Sequence, residues 1–292
     1  MYKQIAQNKR RTVIIIIAFV LMIGLIAAAF AFVYKDPWIA VWTILVAMVY
    51  ALIQYFASGS LAIMMSGATE IEKKDNPRLY NIVENLSITT GLPMPKVYII
   101  QDPAPNAFAT GRDPKHAMVT ATTGLLDIMD DKELTAVMAH EMSHVKNYDI
   151  RVSMIVFGLV CVVGLISDIA YRMVFYGSRR RDEEGSPLGY ALVILAAILS
   201  PILAALAQMA VSRQREYLAD ASAVNITRYP EGMISALKKL QAHSQPMKNQ
   251  NVAAAQMYIN NPLRKGFFNN LLSTHPPLEK RIERLENGKK NF

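Results

Sequence analysis

His140-Glu141-Met142-Ser143-His144 sets two imidazoles four residues apart with a carboxylate between them. On a helix, positions i and i+4 lie on one face, one turn apart. Both rings can then reach a single metal ion, and Glu141 projects beside it. Neutral imidazole nitrogen binds zinc well, and zinc brings the pKa of a bound water down to about 7. A carboxylate next to that water can take its proton and return it to a leaving amine. The H-E-x-x-H spacing is therefore that of a metal-assisted hydrolase with Glu141 as general base. Two solvated histidines on a surface helix would spell the same five letters, so the chemistry requires a third ligand from elsewhere.

The other histidines are His116, His243 and His275. Among the carboxylates, Glu216 stands out because Asp220 follows four residues later. On a helix both project from one side, so Glu216 can bind the ion while Asp220 accepts the free N–H of a ligating imidazole. Solvated charges beside Arg213 and Arg215 are the competing reading. His116 and His243 read as surface residues. Asn147 and Asp149 can either orient a ligand or close the helix that carries His140.

These groups need a helix to position them, and the local sequence supplies one. Asp130 reads as its N-cap, with Glu133 as the reciprocal partner of a capping box. Leu134, Val137, Met138 and Met142 are apolar at helical spacing, and neither Pro nor Gly interrupts 131–148. The helix is expected to run on into an apolar stretch beyond it. Upstream, 76–91 reads as a helix ended by Gly91 and Pro93, and 97–100 as a short strand. Residues 107–110 and 118–122 read as two strands joined through 111–115, and a short helix precedes Asp130. The order is α+β rather than an alternating β-α-β series.

The chain has 292 residues, of which 52% are hydrophobic and 18% charged. That is more apolar and less charged than ordinary soluble domains, and the excess is concentrated. Residues 13–34 carry no charge and are long enough for a bilayer core of about 30 Å. Residues 38–57 form a second such stretch, with Lys35-Asp36-Pro37 turning between them. A third runs over 153–169, broken by Asp168, and a fourth over 188–209. The first stretch is too long for a cleaved signal and has no small-x-small cleavage site, so it reads as a retained anchor. The net charge of +8 is accounted for in part by Lys3, Lys9, Arg10 and Arg11 flanking that stretch on its cytoplasmic side. No nucleic-acid motif accompanies it. The single Cys161 excludes an intrachain disulfide. Arg179-Arg180-Arg181 between the third and fourth stretches runs against the positive-inside bias. That hairpin either crosses the membrane, lies partly in it or packs on the other helices.

Four ordered segments share a pattern: Asn106-Ala107-Phe108-Ala109-Thr110-Gly111, the H-E-x-x-H, Arg215-Glu216-Tyr217-Leu218-Ala219-Asp220-Ala221, and Ser273-Thr274-His275-Pro276-Pro277-Leu278. Together they resemble the HtpX-type membrane zinc metalloproteases, relatives of the CAAX prenyl endopeptidases. The resemblance runs from about residue 5 to about residue 287, with no departure at an expected catalytic position. It implies one zinc ion held by His140, His144 and Glu216, with Glu141 as general base and Asp220 behind a ligand. His275 would donate to the oxyanion. Asn106, Ala107, Phe108 and Ala109 would form the edge strand along which an extended substrate pairs.

The expected fold is thus a mostly α membrane protein. About four transmembrane or membrane-embedded helices accompany a small cytoplasmic α+β zincin-like domain. The expected division is a helix pair over 1–65, the α+β segment over 66–150, a membrane hairpin over 151–211, and a helical segment over 212–292 that completes the zinc site. Its partners would be the lipid bilayer and protein or peptide substrates, not nucleic acid. The location would be the plasma membrane, with the site facing the cytoplasm. Arg264, Lys265, Phe267 and Phe268 suit a lipid interface. The implied function is quality control of membrane proteins. A narrow-specificity processing protease and a scaffold with a structural metal site remain as alternatives.

Overall fold

The computed structural model describes residues 2–159, 161, 213–250, 254–262 and 276–288. His275, Arg264 to Phe268, Arg179 to Arg181 and the fourth apolar stretch lie outside the described residues.

The first two apolar stretches form the helices α1 (Tyr2–Tyr34) and α2 (Trp38–Ser66). Both are longer than the apolar runs that announce them. The polar Lys3 to Arg11 segment contains no breaker, and α2 continues until Gly67 takes a left-handed φ of 71° and caps it. Among the described residues no single helix is long and apolar enough to cross a membrane. Ile44–Tyr50 and Leu52–Ser66 together have the length and composition to do so, bent by 40°. Among the described residues, all the large apolar side chains left exposed except Ile88 and Tyr229 lie on α1 and α2, including Trp38, Trp42, Leu52 and Phe56. Such a band needs an apolar neighbour.

A four-stranded sheet follows, built from β1 (Thr69–Glu70), β2 (Lys96–Ile100), β3 (Ala107–Thr110) and β4 (Met118–Thr122). Its order is β1-β2-β4-β3. β2 and β4 pair in parallel, and the other pairs are antiparallel. Among the described residues β3 is therefore an edge. The turn from β3 to β4 depends on Gly111, whose φ of 131° and close approach to the His116 carbonyl leave no room for a side chain.

Alternate side chains of the strands enter two cores. Val97, Ile99, Ala107, Ala109, Val119 and Ala121 face α3 (Pro77–Thr90) and α5 (Asp131–Lys146). Tyr98, Ile100 and Phe108 face the end of α2, Met154 and Phe157, and residues 254–258. A short α4 (Thr123–Ile128) links β4 to α5. The Asp130–Glu133 capping box is formed as expected. α5 lies at the centre of the domain, packed by α3, β3, α6 (Arg213–Thr227) and α7 (Pro230–Ala242). The last helix, α8 (Leu278–Gly288), packs on α6 and α7.

In one respect the chain departs from the expected continuous helix. α5 stops at Lys146, Tyr148 adopts φ 61°, and helical residues resume only at 149. The cations of Lys9 and Arg151 stand over the Tyr148 ring, 4.8 and 4.9 Å from its centroid, and hold this non-glycine residue in the left-handed region. The kink turns Asp149 back towards His144.

Candidate active site

α5 presents His140 and His144 on one face, as their spacing dictates, and α6 brings Glu216 against them. One ligand atom from each lies within 4.8 Å of the others. The two Nε2 atoms are 3.2 Å apart, and each lies 3.6 Å from a Glu216 oxygen. Ligands about 2.05 Å from a tetrahedral ion stand about 3.3 Å from one another, so the two Nε2 atoms and the Glu216 carboxylate, which offers a different oxygen to each ring, are close to the spacing zinc needs.

The far side of each ring sets its tautomer. His140 Nδ1 is 3.0 Å from Asp220 Oδ1, and His144 Nδ1 is 3.0 Å from Asp149 Oδ2. Each carboxylate accepts a proton-bearing Nδ1, which leaves both Nε2 lone pairs facing each other. Two such lone pairs at 3.2 Å repel unless a cation or proton sits between them. Of the two roles open to Asn147 and Asp149, Asn147 closes α5 through its backbone, and Asp149 holds His144.

The charge balance points the same way. Glu141, Asp149, Glu216 and Asp220 are buried around the rings, opposed by buried Arg215 and Arg281. With neutral imidazoles, two negative charges remain, which a divalent cation neutralises. In the protein alone, protons take that part. Burial by itself would push His140 down, but hydrogen bonds to Asp220 and Glu216 raise it to about 9. Burial also opposes the charged form of His144, and Glu216 and Asp149 overcome it and raise the pKa. Burial raises Glu141, more than the neighbouring imidazoles and the Ala109 N–H lower it. Asp220 would rise through burial, but Arg281 and His140 hold it below the usual carboxylate range.

Glu141 is 2% exposed and receives a hydrogen bond from the outward-facing N–H of Ala109 on β3. The edge strand thus touches the carboxylate at one end. At the other end it is covered by the chain itself. Ile259 N–H donates to the Ala107 carbonyl at 3.0 Å. The Asn106 carboxamide donates to the Asn260 carbonyl at 2.8 Å and accepts from its N–H at 3.1 Å. Phe108 is fully buried on the opposite face, its ring centroid 4.8 Å from that of Tyr258. His116 and His243 are exposed, as expected.

A family model, Peptidase family M48, matches residues 73–289. The chain belongs to peptidase family M48. Members of this family are metallopeptidases, and the cluster of His140, His144 and Glu216 is where a metal fits. A "Protease HtpX homolog" of Tropheryma whipplei (strain TW08/27) is 56% identical over 289 residues, covering 98% of both chains. Another, from Ligilactobacillus salivarius (strain UCC118), is 45% identical over 293 residues, covering 98% of this chain and 99% of the relative. The fold is similar to that of S. mikatae Ste24p, with a TM-score of 0.52 at 20% identity over 98% of this chain and 67% of the other.

Three features of this M48 site escape a reading by motif. Asn8, on α1, donates to the Asn147 carbonyl at 2.8 Å and to Asp149 Oδ1 at 2.7 Å. Arg281, on α8, grips Asp220. Residues 259 and 260 cover β3. Only Arg281 carries a sequence signal: it falls in the stripe Leu278-Arg281-Ile282-Leu285, a charge where helical spacing calls for an apolar residue.

Proposed function

We propose that this M48 chain is a zinc-dependent endopeptidase anchored in the plasma membrane, with its site on the cytoplasmic side, acting on misfolded or membrane-embedded proteins. The observation that carries the reading is the convergence of two Nε2 lone pairs and one carboxylate, with both Nδ1 atoms engaged by further carboxylates. Three ligands leave a coordination position open, as catalytic rather than structural zinc sites do. Zinc held by His140, His144 and Glu216 would supply Lewis acidity, polarising a carbonyl and acidifying a water in the open position.

Glu141 takes a proton from the attacking water and delivers it to the leaving amine. Its raised pKa suits a group that must carry a proton between the two. An extended peptide pairs along the edge of β3, taking up the Ala107 carbonyl now held by Ile259 and the Ala109 N–H now held by Glu141, and such main-chain bonds read no particular sequence. Of the residues Asn106 to Ala109, Ala109 stands nearest this chemistry, because its N–H reaches Glu141. His275 serves as donor to the oxyanion, a contribution of about 3 kcal/mol.

The exposed apolar band on α1 and α2 supports bilayer anchoring. Lys9, Arg10 and Arg11 in the first turns of α1 support a cytoplasmic N-terminus.

The test is hydrolysis of an unfolded protein by detergent-purified chain with added zinc, against Glu141→Gln. We expect the variant to retain zinc and to lose roughly 10²- to 10⁴-fold in rate. Undiminished hydrolysis would remove Glu141 from the mechanism, and an absence of hydrolysis in both would point to narrow specificity.

A further inference from the structure

Arg281 is fully buried, the largest side chain in the described residues to be so. Its placement in the apolar stripe of α8 is costly unless the charge is used. The guanidinium meets Asp220 side-on through two bonds, Nη2 to Oδ1 at 2.6 Å and Nε to Oδ2 at 2.9 Å. The same Oδ1 is 3.0 Å from His140 Nδ1. Arg281 Nη2 also lies 3.4 Å from His140 Nδ1 and 3.5 Å from Nε2. With Nδ1 protonated, the first of these contacts sets donor against donor, so it is stacking of a planar cation on the ring rather than a hydrogen bond. Nη1 makes no hydrogen bond among the described residues and lies 3.9 Å from Glu216 Oε2.

We infer that Arg281 is a positioning residue for the metal centre: it fixes the His140 ring through the Asp220 carboxylate at its edge and the guanidinium on its face, and so sets the direction of the Nε2 lone pair. The inference rests on the reading of the cluster as a zinc site. A carboxylate alone can swing about its bonds, and the imidazole would swing with it. The bidentate fork removes that freedom, which a lysine, as a compact point charge, cannot do. The cation on Nη1 leans on Glu216 at the same time, so one residue of the last helix biases two of the three ligands. α8 thereby completes the metal site from the far end of the chain without contributing a ligand.

The alternative is that Arg281–Asp220 is only an ion pair that seats α8. The two are separated by measuring zinc affinity on full-length, detergent-purified protein by competition with a chromogenic chelator. The metal-free melting temperature is followed in parallel. The variants are Arg281→Lys, Asp220→Asn and the double variant. Arg281→Lys keeps the charge and most of the volume, and we expect it to weaken zinc 10- to 100-fold, the usual effect of disturbing a ligand's support. Because Arg281 acts in part through Asp220, the double variant is expected to lose less zinc affinity than the two single losses combined. A lysine variant that melts lower in the metal-free state yet binds zinc as tightly as the parent would overturn the inference, as would strictly additive losses. Failure of the parent chain itself to bind zinc would instead overturn the reading of the site, and the inference with it.

Discussion

Removing the side chain of Asn8 tests whether the first helix is part of the metal centre's scaffold. The residue is 3% exposed and spends its amide on two acceptors about 140 positions away in sequence: the Asn147 carbonyl at 2.8 Å and Asp149 Oδ1 at 2.7 Å. A neutral amide–carbonyl bond contributes about 1 kcal/mol and one to a carboxylate about 1.5–3 kcal/mol, so Asn8→Ala is expected to lose about 3 kcal/mol. Asp149 keeps Arg215 at 3.2 Å and His144 at 3.0 Å, so the carboxylate is loosened rather than abandoned. At roughly 2–4 °C per kcal/mol for a chain of this size, the melting midpoint should fall by about 6–12 °C. Circular dichroism in detergent, with and without zinc, is the assay. Asn8→Asp is the sharper control. It replaces the donor by a second carboxylate facing Asp149, so it should be worse than alanine at neutral pH and recover as acid supplies a shared proton. A midpoint unchanged in Asn8→Ala, or an Asn8→Asp variant no worse than alanine, would show that α1 is not seated on the loop behind His144.

Other expectations concern the scaffold. Glu133 would be raised by its burial, but Lys239, Ser235 and the Asp130 N–H hold it below the usual carboxylate range. A depressed folded value contributes stability that is present above the ordinary carboxylate pKa and lost as pH falls through the folded one. Glu133→Gln should therefore lower stability at neutral pH and flatten the acid limb of a urea-denaturation series. An acid limb as steep as the parent's would remove Glu133 from it. At Gly124, a Cβ would strike the backbone carbonyl of Pro103, which cannot move aside. Gly124→Ala should cost about 1–3 kcal/mol in denaturant unfolding, and a neutral substitution would contradict the close approach.

Much of this architecture is legible because its causes are local. Asp130 and Glu133 are three residues apart, and their reciprocal bonds need nothing from the rest of the chain. Asn76 and Gly91 punctuate α3 for similar reasons. The grouping of His140 with His144, and of Glu216 with Asp220, follows from helical spacing alone. What brings the two pairs face to face is the packing of α5 on α6, which no local pattern specifies. The break after Lys146 is hidden because Tyr148 is an unusual residue for a positive φ, and the cations over its ring come from α1 and from residue 151. Asn8 and Asn260 are silent for the same reason, their partners lying 139 and 154 residues away, and Arg281, though out of place in its stripe, gives no hint of a partner 61 residues away. The sheet order also conceals itself. β3 precedes β4 in sequence yet lies outside it, so that the parallel β2–β4 pair forms across the intervening strand.

The strand edge beside Glu141 carries a tenant. Three hydrogen bonds join residues 259 and 260 to Asn106 and Ala107, and at about 1 kcal/mol each they would leave that stretch of edge bare in roughly one molecule in a hundred. A peptide that claims the Ala107 carbonyl must wait for that minority, so its apparent affinity is divided by the same factor. Dilute chains would rarely win such a contest. With the chain anchored as proposed, a segment tethered to the same bilayer, at an effective concentration on the order of millimolar, would win it far more often. The discount then falls on bystanders and spares neighbours, a preference for nearness that needs no recognition of sequence.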